Sequence, residues 1–354
     1  MKTFKAKATP GFFDVDLRIQ WLTGKGDPLN RLNEVIAWAI FDPILESALG
    51  GAAKGPGGRP PFEWRMMCKI LVLQRYYGLS DEQVEFQIND RLSFQRFLGL
   101  SLADKVPDGN TIWDFREFLV KAGAFEKLFI RFKEELEKEG LVGHEGKVVD
   151  ATFVDVPKQR NRREENAKIK AGEVPDGWKA EPHKRSQKDV DARWTKKNQE
   201  THFGYKDHVK ADAKSKLIED WKVTEASVHD SQVIEDLTKK GDGKVYADSA
   251  YRSEEIEEDL TGKEVESQIH ERAYRGKPLT EEQIENNRSK SRIRVRIEHV
   301  FGFMTQSMGG LYLRYIGKAR NTAAIGLINL VYNLARYEQI VRLDLMKPEP
   351  VGTG

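Results

Sequence analysis

Three acidic residues occupy positions where a carboxylate could do chemistry. Asp150 interrupts the apolar, β-branched run from Lys147 to Val154, which is typical of a buried strand. Asp248 ends a second short apolar run, and Glu298 lies in a stretch whose apolar residues have helical spacing. A charge among buried apolar neighbours is costly unless it is paired or bound to a metal. Asp150 in particular therefore needs a cationic partner.

Acids from three separate elements could together bind two divalent cations about 3.5–4 Å apart. Such a pair could activate water or a 3′-hydroxyl and stabilise the oxygen that leaves phosphorus. Oxygen ligands favour Mg²⁺ or Mn²⁺ over softer metals. The chain contains 56 acids, so each of the three, taken alone, could equally be a strand-end or helix-surface residue. The secondary structure predicted around each acid is therefore needed to distinguish a catalytic role from a surface role.

The elements that would position these acids begin near Gly146, where the character of the sequence changes. Strands are predicted at 147–154, 203–212, 217–226, 244–248 and 265–270, and helices at 230–240, 253–260, about 280–308 and 322–337. A turn at Ser215 and Lys216 would join the second and third strands. By analogy, this order predicts an α/β fold with an RNase H-like mixed-sheet core over residues 146–340.

Residues 1–140 are predicted to form a separate, all-helical N-terminal domain. Apolar residues have helical spacing at 29–48, with Pro43 as a break, and again at 62–77 and 124–139. Ser80 and Gln83 have the form of a capping box, and Asp108 could cap a helix running to about Lys121. The intervening segment Gly51–Pro61 is rich in glycine and proline and is predicted to be a loop.

The composition predicts an intracellular globular protein with a highly charged surface. Of 354 residues, 39% are hydrophobic and 32% are charged. No apolar stretch reaches the about 20 residues that span a membrane, and no apolar signal core follows Met1. Cys68 is the single cysteine, which excludes an internal disulfide and a cysteine-rich zinc site.

The net charge of +2 conceals two basic regions. Residues 157–200 contain 13 Lys and Arg against 8 Asp and Glu, an excess of 13 − 8 = 5. Residues 288–296 contain five basic residues and no acid. Basic patches suit nucleic-acid phosphates, although a solvated charged face is the simpler alternative. Because 157–200 is nearly free of apolar residues, it is expected to be an irregular insertion that becomes ordered on DNA.

Six short motifs follow one another along the second half of the chain. They are Val149-Asp-Ala-Thr, Trp194-Thr-Lys-Lys, Phe203-Gly-Tyr-Lys-Asp-His208, Thr224-Glu-Ala-Ser-Val-His-Asp230, Tyr246-Ala-Asp-Ser-Ala-Tyr251 and Arg292-Ile-Arg-Val-Arg-Ile-Glu-His-Val-Phe301. In their order and spacing, residues 148–337 resemble the insertion-sequence five family of DDE transposases. Residues 58–118 also resemble the helical N-terminal region of that family.

The resemblance implies that Asp150, Asp248 and Glu298 are the catalytic carboxylates and ligands of Mg²⁺, or of Mn²⁺ as a substitute, with two ions expected. It also implies that Arg294, four residues before Glu298 and on the same helix face, contacts the reacting phosphate. Many relatives carry a Tyr three residues before that Arg and a Lys seven residues after the Glu. This chain has Ser291 and Thr305 there, which removes two candidate phosphate contacts.

Further DNA contacts are expected from polar residues close to the motifs, with an ordinary exposed polar surface as the alternative. In the catalytic region these candidates are Lys206, His208, Arg252, Arg292 and Arg296. In the N-terminal region, the helices at 80–91 and 108–121 could form a reader resembling a helix-turn-helix, with Asn110 and Arg116 near DNA. A plain helical dimerisation domain is the alternative there.

The implied activity is hydrolysis of phosphodiesters at the ends of a transposon, followed by attack of the freed 3′-hydroxyl on target DNA. The expected partners are double-stranded DNA, comprising terminal inverted repeats and target, and a second copy of the chain, because two ends must be joined. The expected location is the bacterial cytoplasm, at the nucleoid. The alternatives are a nuclease of the same fold that cuts without joining and a DNA-binding derivative that has lost catalysis.

Overall fold

The N-terminal third of the chain is helical. The structure, a computed structural model, describes residues 11–50, 61–144, 146–197 and 199–346. The N-terminal helices are α1 (Asp14–Gly24), α2 (Pro28–Val35), α3 (Asp42–Leu49), α4 (Trp64–Tyr77), α5 (Asp81–Asp90), α6 (Leu92–Leu98), α7 (Gly109–Lys121) and α8 (Ala124–Lys138). A 3₁₀ turn, Trp38–Phe41, precedes α3. Residues 51–60 of the predicted glycine-rich loop lie outside the described residues.

Side-chain caps begin several of these helices where the sequence predicts them. The hydroxyl of Ser80 accepts from the backbone N–H of Gln83, and the Gln83 side chain returns to the Ser80 N–H, so the capping box is confirmed. Asp108 accepts from the Thr111 N–H at 2.7 Å and begins α7. Pro43 lies in the first turn of α3, where its missing N–H costs nothing, so it opens a helix after the short 3₁₀ turn.

A mixed sheet forms the centre of the second region. Its strands are β1 (Lys147–Asp155), β2 (Arg193–Lys197), β3 (Glu200–Asp212), β4 (Ile218–Glu225), β5 (Lys244–Tyr246) and β6 (Glu266–Ser267). The order is β2-β3-β1-β5-β6, and β4 also pairs with β3. β3 is antiparallel to β1, β2 and β4, whereas β5 is parallel to β1 and β6 is parallel to β5. This is the RNase H-like arrangement that the sequence predicts.

Helices connect and cover the strands. They are α9 (Arg163–Lys170), α10 (Asp176–Lys179), α11 (Pro182–Ser186), α12 (Ile234–Leu237), α13 (Glu254–Gly262), α14 (Glu281–Gln306) and α15 (Lys318–Leu343). α14 packs on β1 and β5, and α15 packs on β4. On α15, the Asn333 amide bonds both the N–H and the carbonyl of Ile218, each at 2.8 Å, which locks the helix to the strand. Within the described part of the chain, no helix is long and apolar enough to cross a membrane.

The N-terminal helices and the sheet share one buried apolar core. α15 packs against α2, α4 and α8 on one side and the sheet on the other. A second, smaller cluster lies on the other part of the sheet and includes Val149, Val245, Tyr251 and Leu260. The helical region is thus joined to the sheet by a continuous apolar contact.

The structure differs from the expectations at three places. Residues 157–200 contain α9, α10, α11 and β2, because Ile169 and the fully buried Trp178 supply a small core that the composition understates. The expected helix at 230–240 is only a 3₁₀ turn, Asp230–Gln232, followed by α12. The strand expected at 265–270 is only the two-residue strand Glu266–Ser267.

Candidate active site

Two of the three candidate carboxylates are positioned by neighbouring parallel strands, Asp150 on β1 and Asp248 just after the end of β5. Val148 of β1 is paired with Tyr246 of β5, and Asp150 and Asp248 each lie two residues further along. Adjacent strands are about 4.8 Å apart, so this register brings the two acids side by side. Asp248 also caps the 3₁₀ turn Ser249–Tyr251, accepting from the Ala250 N–H at 2.7 Å.

Arg294 connects the third carboxylate to the first. α14 crosses the sheet beside β1 and β5, and its Arg294 donates from Nη1 to Oδ2 of Asp150 at 3.1 Å. Its Nη2 donates to Oε1 of Glu298 at 3.2 Å, one helical turn along. The guanidinium therefore lies between two of the predicted catalytic acids. The Nε of Arg294 is buried and has no hydrogen-bond partner among the described residues.

Burial dominates the electrostatics of Asp150. The pKa of its carboxyl is raised to about 6, chiefly by desolvation and in smaller part by the nearby charge of Asp248. The Ala151 N–H, which donates to Oδ1 at 2.8 Å, and the Arg294 guanidinium oppose this increase. A carboxylate held in this way gains from any additional cation, whether a basic side chain or a metal ion.

Two residues beside the triad were not identified as site residues from the sequence. The backbone of His270 donates to the Ala247 carbonyl at 3.1 Å, and its Nε2 lies 3.3 Å from Oγ of Ser291, the residue that replaces the family tyrosine. Burial lowers the pKa of this imidazole, and the cationic Arg294 contributes. The sequence does indicate this residue, because His270 ends the strand predicted at 265–270, and that strand was expected in the same sheet as the strand that ends at Asp248.

The second is Tyr251, the last residue of the motif that begins at Tyr246. Its side chain is almost completely buried, and its hydroxyl has no hydrogen-bond partner in the described part of the chain. Burial raises the pKa of this phenol well above its usual value, and the charges of Asp150, Asp230 and Asp248 add to the increase. Tyr251 is therefore an uncharged, buried side chain next to the acids.

The structure corrects the expected DNA contacts of Lys206 and His208. Lys206 is buried and donates to the Val228 carbonyl at 2.7 Å and to Asp230 at 2.8 Å. His208 is fully buried, with Nε2 2.8 Å from the Thr224 hydroxyl, and desolvation lowers its pKa to about 4. Both side chains do share one strand face, as alternation predicts, but that face is covered by protein.

Other expected contacts are divided between surface and interior. Arg116 is buried in an ion pair with Asp81 at 2.7 Å, so the expectation that Arg116 contacts DNA is corrected as well. Arg252 is partly buried and pairs with Glu271 at 2.8 Å, and Arg296 donates to the Ala213 carbonyl. The exposed candidates are Asn110 and Arg292.

The donor set fits a hard divalent cation in kind, because all three candidate ligands are carboxylates. Asp150 is desolvated and faces the charge of Asp248, and the Glu298 carboxylate is 55% exposed, which leaves it free to turn. Arg294 supplies the positive charge between Asp150 and Glu298. No three potential metal ligands within the described ranges converge on one point.

Comparison with known families agrees with the geometry. Residues 142–334 match the family model described as Transposase DDE domain, and residues 17–118 match the one described as Transposase domain (DUF772). The first match covers more than half of the chain and includes β1, β5, α14 and all three candidate acids. No solved structure gave a significant match. The predicted family is confirmed, and the chain belongs to the DDE transposases.

Proposed function

We propose that this transposase hydrolyses phosphodiesters at the ends of its element and joins the resulting 3′-hydroxyls to target DNA, with Asp150, Asp248 and Glu298 as its catalytic carboxylates. The observation that carries the proposal is the contact of Arg294 on α14 with both Asp150 and Glu298, while the β1–β5 register brings Asp150 beside Asp248. Acids brought together from three elements are costly to the fold and are typical of a site for phosphoryl transfer.

The proposed reaction has two displacements at phosphorus. In the first, a water oxygen bonds to phosphorus, the bond to the 3′-oxygen breaks, and a 3′-hydroxyl and a 5′-phosphate are formed. In the second, that 3′-hydroxyl bonds to a target phosphorus and the target's own 3′-oxygen leaves as a hydroxyl. One phosphodiester is lost and one is gained in the second step, so it needs no external energy source and no covalent protein intermediate.

Asp150, Asp248 and Glu298 would hold Mg²⁺ or Mn²⁺, with two ions as the expected number. When bound, such ions lower the pKa of water and stabilise the charge that develops on the phosphate oxygens. The chain's own contribution is orientation: the strand register positions Asp150 beside Asp248, and the Ala151 and Ala250 N–H groups fix the two carboxylates.

Arg294 would change partners during the reaction. In the free protein it neutralises Asp150 and Glu298, which would otherwise repel each other. During the reaction the same guanidinium would contact the phosphate that reacts, since its forked donors match two phosphate oxygens. Its partly buried position, with a side chain 23% exposed, keeps it close to the acids in both roles.

The N-terminal helices, residues 1–140 in the predicted domain division, would bind the element's ends, dimerise, or both. On α7, Asn110, Trp113 and Phe118 are exposed on neighbouring turns and offer a contact surface. The matched transposase domain over 17–118 supports a role for this region in transposition. Two ends must be joined, which requires at least two copies of the chain on DNA in the bacterial nucleoid.

The test uses the full chain with duplex DNA carrying the terminal inverted repeat that flanks its gene. We expect cleavage that requires Mg²⁺ or Mn²⁺, and transfer of a pre-cut end into a supercoiled plasmid. Cleavage without transfer would favour the nuclease alternative. Binding without either reaction, in the presence of both metals, would favour the inactive DNA-binding derivative and overturn the proposal.

A further inference from the structure

A cavity of about 550 Å³ lies where the two family-matched segments of the chain meet. α4, α5 and α7 form one wall, and the segment 309–315 with the start of α15 forms the other. At its edge, the backbones of Gly78 and Gly309 touch: a Cβ on either glycine would come within 2.8 Å of the other's Cα. Both glycines have positive φ, so this close approach excludes other residues. The two segments are therefore closely packed at this edge.

The cavity contains more positive than negative charge once internal pairs are counted. Arg116 is paired with Asp81, and Arg320 is paired with Glu117. Partly buried Arg75 and exposed Arg314 also line the cavity, and among the described residues neither has an ion-pair partner; Glu82 is the one acid of the lining outside these two pairs. An arginine without a counter-charge at the wall of a cavity is a site for an anion.

Arg75 carries most of this argument. It donates to the Gly310 carbonyl, which fixes its direction, while its Nε is buried without a hydrogen-bond partner in the described ranges. Burial lowers the pKa of its guanidinium to about 10, because only the phenol of Tyr315 opposes the desolvation. The charge is retained at neutral pH, so this group would gain directly from an anionic ligand.

Tyr312 adds a stacking surface at the same cavity. Its side chain is 52% exposed, although its backbone lies beside β1. An exposed aromatic ring next to unpaired arginines is the combination that binds a base and its phosphate. The volume of about 550 Å³ accommodates a nucleotide-sized ligand.

The segment carrying Tyr312 is connected directly to the strand of the candidate active site. The Asp155 N–H donates to the Leu311 carbonyl at 3.1 Å, and the Leu313 N–H donates to the Asp155 carbonyl at 2.9 Å. Asp155 lies five residues after Asp150 on β1, or about 17 Å at roughly 3.3 Å per residue. A DNA strand advances about 3.4 Å per nucleotide, so this separation corresponds to about five nucleotides.

From these observations we infer that the cavity binds one nucleotide of the DNA strand whose cleavage site lies at Asp150, with the phosphate on Arg75 and Arg314 and the base on Tyr312. This inference rests on the proposed function for the identity of the ligand. A nucleotide held here would set the distance between the cut and a fixed point of the strand. Because the N-terminal helices form one wall of the cavity, they would thereby help to determine where the strand is cleaved.

The test uses the full chain and a single-stranded octamer of thymidine in which one base is 5-iodouracil, which forms a photo-cross-link to a stacked aromatic ring. We expect a cross-link at Tyr312. Tyr312→Ala should remove it and weaken octamer binding about 5-fold or more, with no change in salt dependence. Arg314→Ala should also weaken binding and should reduce the slope of log K against log salt by about 0.7.

Arg342→Ala is the matched control, since Arg342 lies 22 residues after Arg320 on the same helix, about 33 Å away. It should change neither the cross-link nor the affinity. Thymidine monophosphate and inorganic phosphate are tested as competitors. Either one binding as tightly as the octamer would identify a site for free anions and overturn the DNA assignment.

These experiments distinguish an error in the cavity inference from an error in the proposed function. Asp150→Asn should lose cleavage and keep the cross-link. A cross-link in a chain that never cleaves DNA would sink the proposed function alone. The cavity inference would be wrong if the wild type gave no cross-link and if Tyr312→Ala and Arg314→Ala bound the octamer as tightly as the wild type. The occupant of the cavity would then be a segment of protein.

Discussion

The guanidinium of Arg294 lies 3.1 Å from the carboxylate of Asp150, although 144 residues separate them in the chain. The same side chain bonds Glu298 at 3.2 Å, so one arginine joins a strand residue to a helix residue across the candidate site. This contact places a positive charge between two carboxylates that would otherwise repel each other. It also means that a cation entering the site competes with Arg294.

We predict that Asp150→Asn, Asp248→Asn and Glu298→Gln each abolish cleavage and joining while preserving binding to end DNA. Each change removes a charged metal ligand and keeps the shape of the side chain. The loss of rate should therefore exceed the about 10–100-fold that is typical when a residue hydrogen-bonded to a metal ligand is replaced. Gel-shift and cleavage assays on end DNA measure both properties. A variant that cleaves near the wild-type rate would remove its residue from the triad.

We predict that Arg294→Ala lowers single-turnover cleavage far more than it lowers DNA affinity. A contact to the reacting phosphate strengthens as charge develops in the transition state, and losing one such donor costs about 100–1000-fold in rate. The same variant should bind Mn²⁺ more tightly, because no internal cation competes for Asp150 and Glu298. Metal-dependent thermal shifts measure this second effect.

Arg292→Ala is the control for Arg294, since Arg292 is exposed on the same helix. It should affect affinity and salt dependence, as expected for a DNA backbone contact. If Arg294→Ala cleaves at the wild-type rate once DNA is saturating, and its affinity for Mn²⁺ is unchanged, the role assigned to Arg294 is incorrect.

Asp207 should make stability depend on pH. It is fully buried on β3, and burial raises the pKa of its carboxyl from 3.8 to about 7. The Asn329 amide donates to its Oδ1 at 3.2 Å, while its Oδ2 and the Asn329 Oδ1 lack partners within the described ranges. A proton on Asp207 could satisfy both oxygens with one hydrogen bond. Between about pH 4 and 7 the folded state retains this proton and the unfolded state releases it, so stability falls as the pH rises through that window.

We therefore predict that Asp207→Asn, which donates a hydrogen bond at every pH, is more stable than the wild type at pH 8 by about 1–3 kcal/mol. The advantage should shrink towards pH 4, as measured by urea unfolding. Asp242→Asn is the contrasting variant: it leaves the buried Lys210 without its partner and should destabilise the protein by about 3 kcal/mol or more. A wild-type advantage at pH 8 over Asp207→Asn would contradict the prediction.

The insertion at 157–200 should depend on Trp178. This side chain is fully buried and donates to Glu165 at 2.8 Å, so Trp178→Ala should remove most of the insertion's small core. We expect rapid thermolysin cleavage within residues 163–186 in the variant, and protection when end DNA is added. Glu173→Ala, at an exposed position, is the control and should resist like the wild type. Equal cleavage with and without DNA would argue against a DNA contact by the insertion.

Local patterns in the sequence were sufficient for the features that depend on near neighbours. Ser80 and Thr280 cap their helices through contacts three residues away, and the apolar, β-branched run around Asp150 marks a strand. Motif order was sufficient for the family, and with it for the RNase H-like sheet. These features follow from backbone hydrogen bonding and side-chain periodicity, which act over one or two turns.

Only the tertiary structure decided which basic residues face solvent. Lys206, His208 and Arg116 look like surface residues in the sequence, yet their partners Asp230, Thr224 and Asp81 lie 24, 16 and 35 residues away. Burying a polar group is tolerated only when a partner compensates the lost hydration, and that partner is supplied by the fold. The same reasoning applies to Arg294 and Asp150: the sequence identified both residues, and the packing of α14 on β1 decided that they meet.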